Sequence, residues 1–148
     1  MNFTAKEDYG LRAVLDLAAN FGSVPTQARE LAQRQQIPEQ FLEQILAALR
    51  RAEVLRSVRG SGGGYALSAA PRQITVGQVL RALTGPLVPT ELLVGDGALS
   101  GSADTQLVRG VWESMEVAIR AVADGTTIQD LLDRRRELLR DYGYMMHI

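Results

Sequence analysis

The chain has 148 residues, enough for one domain with a real core or for a small domain plus an appendage; 46% of them are hydrophobic and 22% charged, with a formal net charge of −1. It holds no cysteine and one histidine, His147, which excludes disulfides, thiolate catalysis and Cys-ligated clusters and leaves too few donors for most zinc sites. No apolar run approaches the ~20 residues that span a bilayer, and the opening MNFTAKEDYGLR is acidic where a signal peptide is basic and then apolar, so a cytoplasmic location is expected.

Thr4 and Glu7 form a T-x-x-E capping box that predicts a helix from there to about Phe21. Leu11, Val14, Leu15 and Ala18 repeat on one face of it. Gly22 and Ser23 end it, and Pro25-Thr26 opens a shorter helix from Gln27 to about Gln35, with Ala28, Leu31 and Ala32 inward. Ile37-Pro38 then turns the chain into a third helix over about 39–52. Phe41, Leu42, Ile45, Leu46 and Leu49 face inward there, and Glu39, Gln40, Glu43, Gln44 and Arg50 face out. Candidate strands at 55–59 and 65–68 flank the glycine-rich stretch Gly60 to Gly64 and predict a β-hairpin. Three helices followed by a hairpin is the order of a winged helix-turn-helix.

Thr75 and Gln78 make a second capping box, for a helix over about 76–84 that Gly85-Pro86 stops. Residues 87–102 read as a loop. A long helix over about 104–123 carries the stripe Val108, Val111, Trp112, Met115, Ile119 and Val122, with Leu107, Val117 and Ala121 beside it. A helix apolar on more than one face must be covered on more than one side, so this stripe is expected to form a homodimer interface, with Trp112 as a packing anchor. Thr127 and Asp130 begin a last helix over about 128–141, in which Ile128, Leu131, Leu132, Leu138 and Leu139 are expected to be buried. The predicted fold is mainly α with a small β-hairpin wing: a winged helix-turn-helix over 1–72, then over 73–148 a linker helix, a sensor-like loop, a long dimerisation helix and a C-terminal helix. Charge follows the same division. Residues 1–72 hold nine Lys/Arg against seven Asp/Glu, a balance of +2, and residues 73–148 hold seven against ten, a balance of −3.

The outward face of the third helix suits base reading in a major groove. Gln pairs with adenine, Arg with guanine, and Glu accepts from cytosine, although on this helix alone Glu39, Gln40, Glu43 and Gln44, with Arg50, suit a solvated face better than base reading. The hairpin favours DNA. Arg56 and Arg59 flank a thin tip that can enter or cross the minor groove, and the exposed N–H groups around Gly60, Ser61 and Gly62 can bond phosphates. A nucleotide-binding loop is excluded, because its Gly-Lys-Ser/Thr ending is absent. An enzyme lacks support: there is no internal histidine, no cysteine and no serine motif with a base.

Several stretches carry a resemblance. Gln36-Ile37-Pro38 with Phe41 through Leu46, the wing Ser57-Val58-Arg59-Gly60-Ser61-Gly62-Gly63-Gly64-Tyr65, Ile74 through Leu80, Leu107 through Trp112, and Thr127 through Leu131 resemble the winged-helix regulator family that includes the iron–sulfur cluster regulator IscR, the nitric-oxide sensor NsrR and the cysteine-metabolism repressor CymR. The resemblance covers about residues 1–132. It implies a homodimer on a partly palindromic operator of double-stranded DNA, with Glu43 and Gln44 at bases and Arg59 in the minor groove. Cluster-binding members carry three cysteines in the sensor loop and a histidine before the tryptophan. Here the last cysteine position is Gln106 and the histidine position is Arg109, so neither a cofactor nor a metal is expected, the carboxylates Glu91, Asp96 and Asp104 reading as loop solvation and a helix start. The expected switch is a small-molecule effector, a protein partner or the promoter context. Some cluster-free relatives act through a complex with a metabolic enzyme, which makes a partner-controlled regulator the alternative to a repressor or dual regulator that works alone.

Overall fold

The computed structural model describes residues 3–94 and 101–146; Asp96 and His147 lie outside them. The order is α1 (Ala5–Ala19), α2 (Ala28–Gln35), α3 (Glu39–Arg51), β1 (Leu55–Val58), β2 (Gly64–Leu67), a short 3-10 turn (Pro71–Gln73), α4 (Val76–Thr84), α5 (Thr90–Leu93), α6 (Ala103–Gly125) and α7 (Ile128–Met146). The mainly helical architecture with one antiparallel hairpin matches the expected class. Among the described residues no helix is long and apolar enough to cross a membrane.

The caps act where the sequence places them. The Thr4 N–H donates to the Glu7 carboxylate at 2.7 Å. Burial pushes the Glu7 carboxyl up, but the hydrogen bonds from the Thr4 N–H and hydroxyl outweigh it and hold the group below its ordinary value. Thr75 and Gln78 cap α4 reciprocally at 2.8 and 3.1 Å. Thr127 and Asp130 do the same for α7 at 2.9 and 3.0 Å.

One aliphatic core gathers Val14 and Leu17 of α1, Leu31 of α2, Leu42, Ile45, Leu46 and Leu49 of α3, and Leu55 and Leu67 of the hairpin. Ile74, Val79, Leu83 and Ile128 join it from further along the chain. Phe41 sits at its edge, its ring 5.6 Å from that of Tyr9 in a T-shaped pair. Close helix approach requires Gly10, where a Cβ would lie 2.2 Å from Leu83 Cδ1.

Four boundaries differ from expectation. α1 stops at Ala19, because the chain already turns at Asn20, whose N–H bonds back to the Leu17 carbonyl. α6 runs through Asp124 and Gly125 to a cap at Thr126. α7 continues to Met146 rather than ending near residue 141. The stretch read as a loop contains α5 and buries Leu87 and Val88. The expected burial of Leu138 and Leu139 is also corrected: they are 59% and 60% exposed, because α7 has passed the edge of the core by its third turn.

Candidate nucleic-acid interface

The candidate reading head is the helix-turn-helix of α2, a tight turn and α3. Gln36 takes a left-handed conformation, φ +55°, at the end of α2, and the Ile37 N–H bonds to the Ala32 carbonyl. This lets Pro38 start α3 within two residues. Leu42, Ile45, Leu46 and Leu49 bury one side of α3. Helical spacing then leaves Glu39, Gln40, Glu43 and Gln44 exposed together over its first two turns. Arg50, also exposed, lies at the other end, its Nη1 3.5 Å from Ser57 Oγ of β1.

The wing pairs Leu55 with Leu67, Arg56 with Ala66, Ser57 with Tyr65 and Val58 with Gly64. Its tip closes by a hydrogen bond from the Gly63 N–H to the Gly60 carbonyl, 3.0 Å. Gly60 has φ +106°, and a Cβ on Gly63 would lie 2.1 Å from the Val58 carbonyl oxygen, so the tip depends on glycine. Arg59, Gly60, Ser61 and Gly62 are all exposed there. Strand alternation puts Arg56 on the opposite face of β1 from Ser57 and Leu55. Arg56 therefore lines a cleft with Phe21 and Val24, apart from the Arg50–Ser57 contact. A third short segment braces the wing: Thr26 and Tyr65 exchange backbone hydrogen bonds at 2.9 and 2.7 Å. This joins β2 to the start of α2.

Side chains that pattern reading missed hold the head on α1. Asp16, buried in α1, accepts two hydrogen bonds from Arg34, at 2.5 and 3.3 Å, and one from the Gln35 amide at 2.8 Å. The hydrogen bond to Asp16 raises the Arg34 guanidinium above its ordinary value against the opposing cost of burial. Arg12 donates to the Gln35 carbonyl and bonds Asp8 at 3.2 Å. The end of α2 is thus fixed to α1 by four charged or polar side chains, Arg12 and Asp16 on α1 and Arg34 and Gln35 on α2. The one available signal was a carboxylate among the apolar residues Val14, Leu15 and Leu17.

Far from the head, α6 is anchored at its C-terminal end. Arg81 of α4 grips Asp124 at 2.6 and 3.0 Å, and Ile74 and Val76 bond the chain at 126–128 by backbone. Of the sequence-predicted stripe, Val108, Val111, Met115 and Val122 are exposed, while Trp112 and Ile119 are half-buried. Ile119 packs on Leu80, Leu87 and Ala123.

Comparison with known proteins agrees with this architecture. Residues 3–134 match the model of the Rrf2 family, described as iron-dependent transcriptional regulators. The HTH-type transcriptional regulator CymR of Bacillus subtilis is 35% identical over 131 residues, 88% of this chain and 89% of that protein. IscR of Sodalis glossinidius is 33% identical over 138 residues, covering 93% and 82%. Among solved structures, CymR of B. subtilis superposes with a TM-score of 0.75 at 34% identity, covering 90% and 98% of the two chains. T. potens IscR gives 0.74 at 35% identity, covering 93% and 90%. These relatives are named as transcriptional regulators, not enzymes. With its braced wing and helix-turn-helix head, the chain belongs to the Rrf2 family of DNA-binding transcriptional regulators.

Proposed function

We propose that the chain acts as a homodimer on a partly palindromic operator, as a repressor or dual regulator, and does so without an iron–sulfur cluster. One observation carries the reading: a single protomer joins a clamped reading head to a 23-residue helix, α6, whose Val108, Val111, Met115 and Val122 its own fold leaves exposed. A second copy covers that stripe with the same stripe, since a two-fold interface is self-complementary. The pair then carries two α3 helices and two wings related by the same axis, which calls for inverted half-sites. In this reading Glu43 and Gln44 meet base edges, and Arg59 with the Gly60–Gly62 tip meets phosphates and the minor groove.

The family description names iron, but the donor set here does not fit a [2Fe–2S] cluster. Such clusters need thiolates, and the chain has none. Gln106 and Arg109 stand at the positions matched to a cysteine and a histidine ligand, and a guanidinium has no lone pair to give a metal. Among the described residues no group of three or more His, Cys, Asp or Glu side chains is placed to hold a metal.

The test is selection of bound duplexes from a random library by purified protein handled without oxygen, with iron and sulfide assayed in the same sample. The expected product is a pair of inverted half-sites centred about one helical turn apart, or a multiple of it, enriched by a colourless protein. Enrichment of one asymmetric half-site, or stoichiometric iron in the binding-competent protein, would contradict the reading.

A further inference from the structure

α7 is apolar along one side, and its own domain covers only the first part. Ile128 is fully buried and Leu131 and Leu132 pack against the core, but the same side continues through Leu138 into solvent. Between this side, α1 and the end of α2 at Gln35 lies a cleft with Leu15, Leu131 and Leu138 as its apolar wall and Arg134 and Arg135 beside them.

The charges of the cleft are unbalanced. Its one carboxylate, Asp16, is already engaged by Arg34 and Gln35. Its third guanidinium, Arg12, is engaged by Asp8 and the Gln35 carbonyl. Among the described residues, neither Arg134 nor Arg135 has a carboxylate oxygen within 4.0 Å. Guanidiniums pair with carboxylates in a two-pronged geometry, and leucine surface favours a hydrocarbon partner. Bare phosphate would leave the leucines wet. A neutral apolar molecule would leave the guanidiniums unanswered.

We propose that this cleft is an effector site for a small organic anion with an aliphatic chain, its carboxylate on Arg134 and Arg135 and its chain on Leu15, Leu131 and Leu138. The proposal rests on the DNA-binding reading above, to which it adds the class of regulatory ligand. The coupling is local. Arg12, Asp16 and Gln35, which line the cleft, are the same groups that hold the end of α2 to α1. A ligand that binds more tightly to one setting of this clamp shifts the α2–α3 turn, and with it the angle at which α3 meets DNA.

Octanoate is the probe, with acetate and octylammonium as controls for the chain and the charge. Calorimetry on the full chain is expected to show octanoate binding at least about tenfold more tightly than either control. The double variant Arg134→Ala, Arg135→Ala, altered only on the exposed side of α7, should lose about tenfold or more of that affinity. Saturating octanoate should shift the affinity of the unmodified protein for its selected operator by about threefold or more, and leave the double variant unmoved. No octanoate binding, equal binding of octylammonium, or undiminished binding by the double variant overturns the site. Bound octanoate with an unmoved operator affinity overturns its role as an effector site. Dissociation of the double variant in sedimentation would show that a second copy occupies the cleft, which also overturns it. Calorimetry needs no DNA, so failure of the DNA-binding reading is distinguishable from failure of the site.

Discussion

Asp16 and Arg34, eighteen positions apart, form a two-pronged ion pair in which the carboxylate is 8% exposed and the guanidinium 38%. This pair sets α2, the first helix of the helix-turn-helix, on α1. Removing either partner leaves the other with one contact: Arg34 keeps Glu30 at 2.8 Å, and Asp16 keeps the Gln35 amide at 2.8 Å. Because Arg34 is partly in water, the loss falls below the ~3–5 kcal/mol of a fully buried pair; Asp16→Ala is expected to cost about 1–2 kcal/mol. A double-mutant cycle with Arg34→Ala, read by urea unfolding, should return a coupling energy of about 1 kcal/mol. Additive losses would mean that the pair holds nothing.

The wing offers a contrast between neighbouring glycines. A Cβ on Gly64, φ +146°, would lie 2.4 Å from the Thr26 carbonyl oxygen, whereas one on Gly62 meets nothing within 4 Å. Gly64→Ala should therefore break the Thr26–Tyr65 brace and cost about 1–3 kcal/mol. Gly62→Ala should stay within about 0.5 kcal/mol of the unmodified protein. Thermal unfolding of the two variants side by side tests this, and equal melting temperatures would refute it.

Association should depend on α6. Val111 and Val122 are 54% and 70% exposed in the protomer, so Val111→Glu or Val122→Glu leaves the fold intact while burying a carboxylate between two copies. Sedimentation at micromolar concentration should find the unmodified chain dimeric and these variants shifted toward monomer. A monomeric unmodified chain would rule the interface out.

Local signals made much of this legible in the sequence. Thr4 with Glu7, Thr75 with Gln78 and Thr127 with Asp130 fixed three helix starts, because each cap closes within four residues. The exposure of Glu43 and Gln44 followed from the spacing of Leu42, Ile45, Leu46 and Leu49. Contacts across long separations left weaker traces. Asp16 meets Arg34 and Arg81 meets Asp124 only once the fold brings them together. Leu138 and Leu139 continue a buried stripe in the sequence, and periodicity marks an apolar face without saying where the core that covers it ends. Tyr142 and Met145 prolong that face at helical spacing, exposed like Leu138 and Leu139, along the part of α7 that runs past the stop expected near Asp141.

Acid should loosen the joint between α4 and α6. The hydrogen bonds from Arg81 hold the Asp124 carboxyl below its ordinary value. A carboxyl depressed in the folded state lends stability above its unfolded pKa and loses it as pH falls through the folded one. The melting temperature should therefore drop between about pH 5 and pH 2, less steeply for Asp124→Asn than for the unmodified protein. Glu7, depressed in the same sense, keeps the variant from becoming flat. Identical profiles would show that Asp124 contributes no pH dependence. Gly77→Ala tests the same joint from another side, since its Cβ would lie 2.0 Å from Asp124 Oδ1.

In the proposed function α3 reads bases while the wing supplies charge, with no cluster involved. Affinities of iron-free protein, Gln44→Ala and Arg59→Ala for the selected operator and a scrambled duplex, each at several salt concentrations, test it most directly. The unmodified protein should prefer its operator. Gln44→Ala should narrow that preference by about 1–3 kcal/mol. Arg59→Ala should weaken binding to both duplexes and flatten the salt dependence by about one unit for each phosphate that the guanidinium no longer neutralises. An iron-free protein with no operator preference, or an Arg59→Ala variant with unchanged affinity and salt slope, would overturn this division of labour between α3 and the wing.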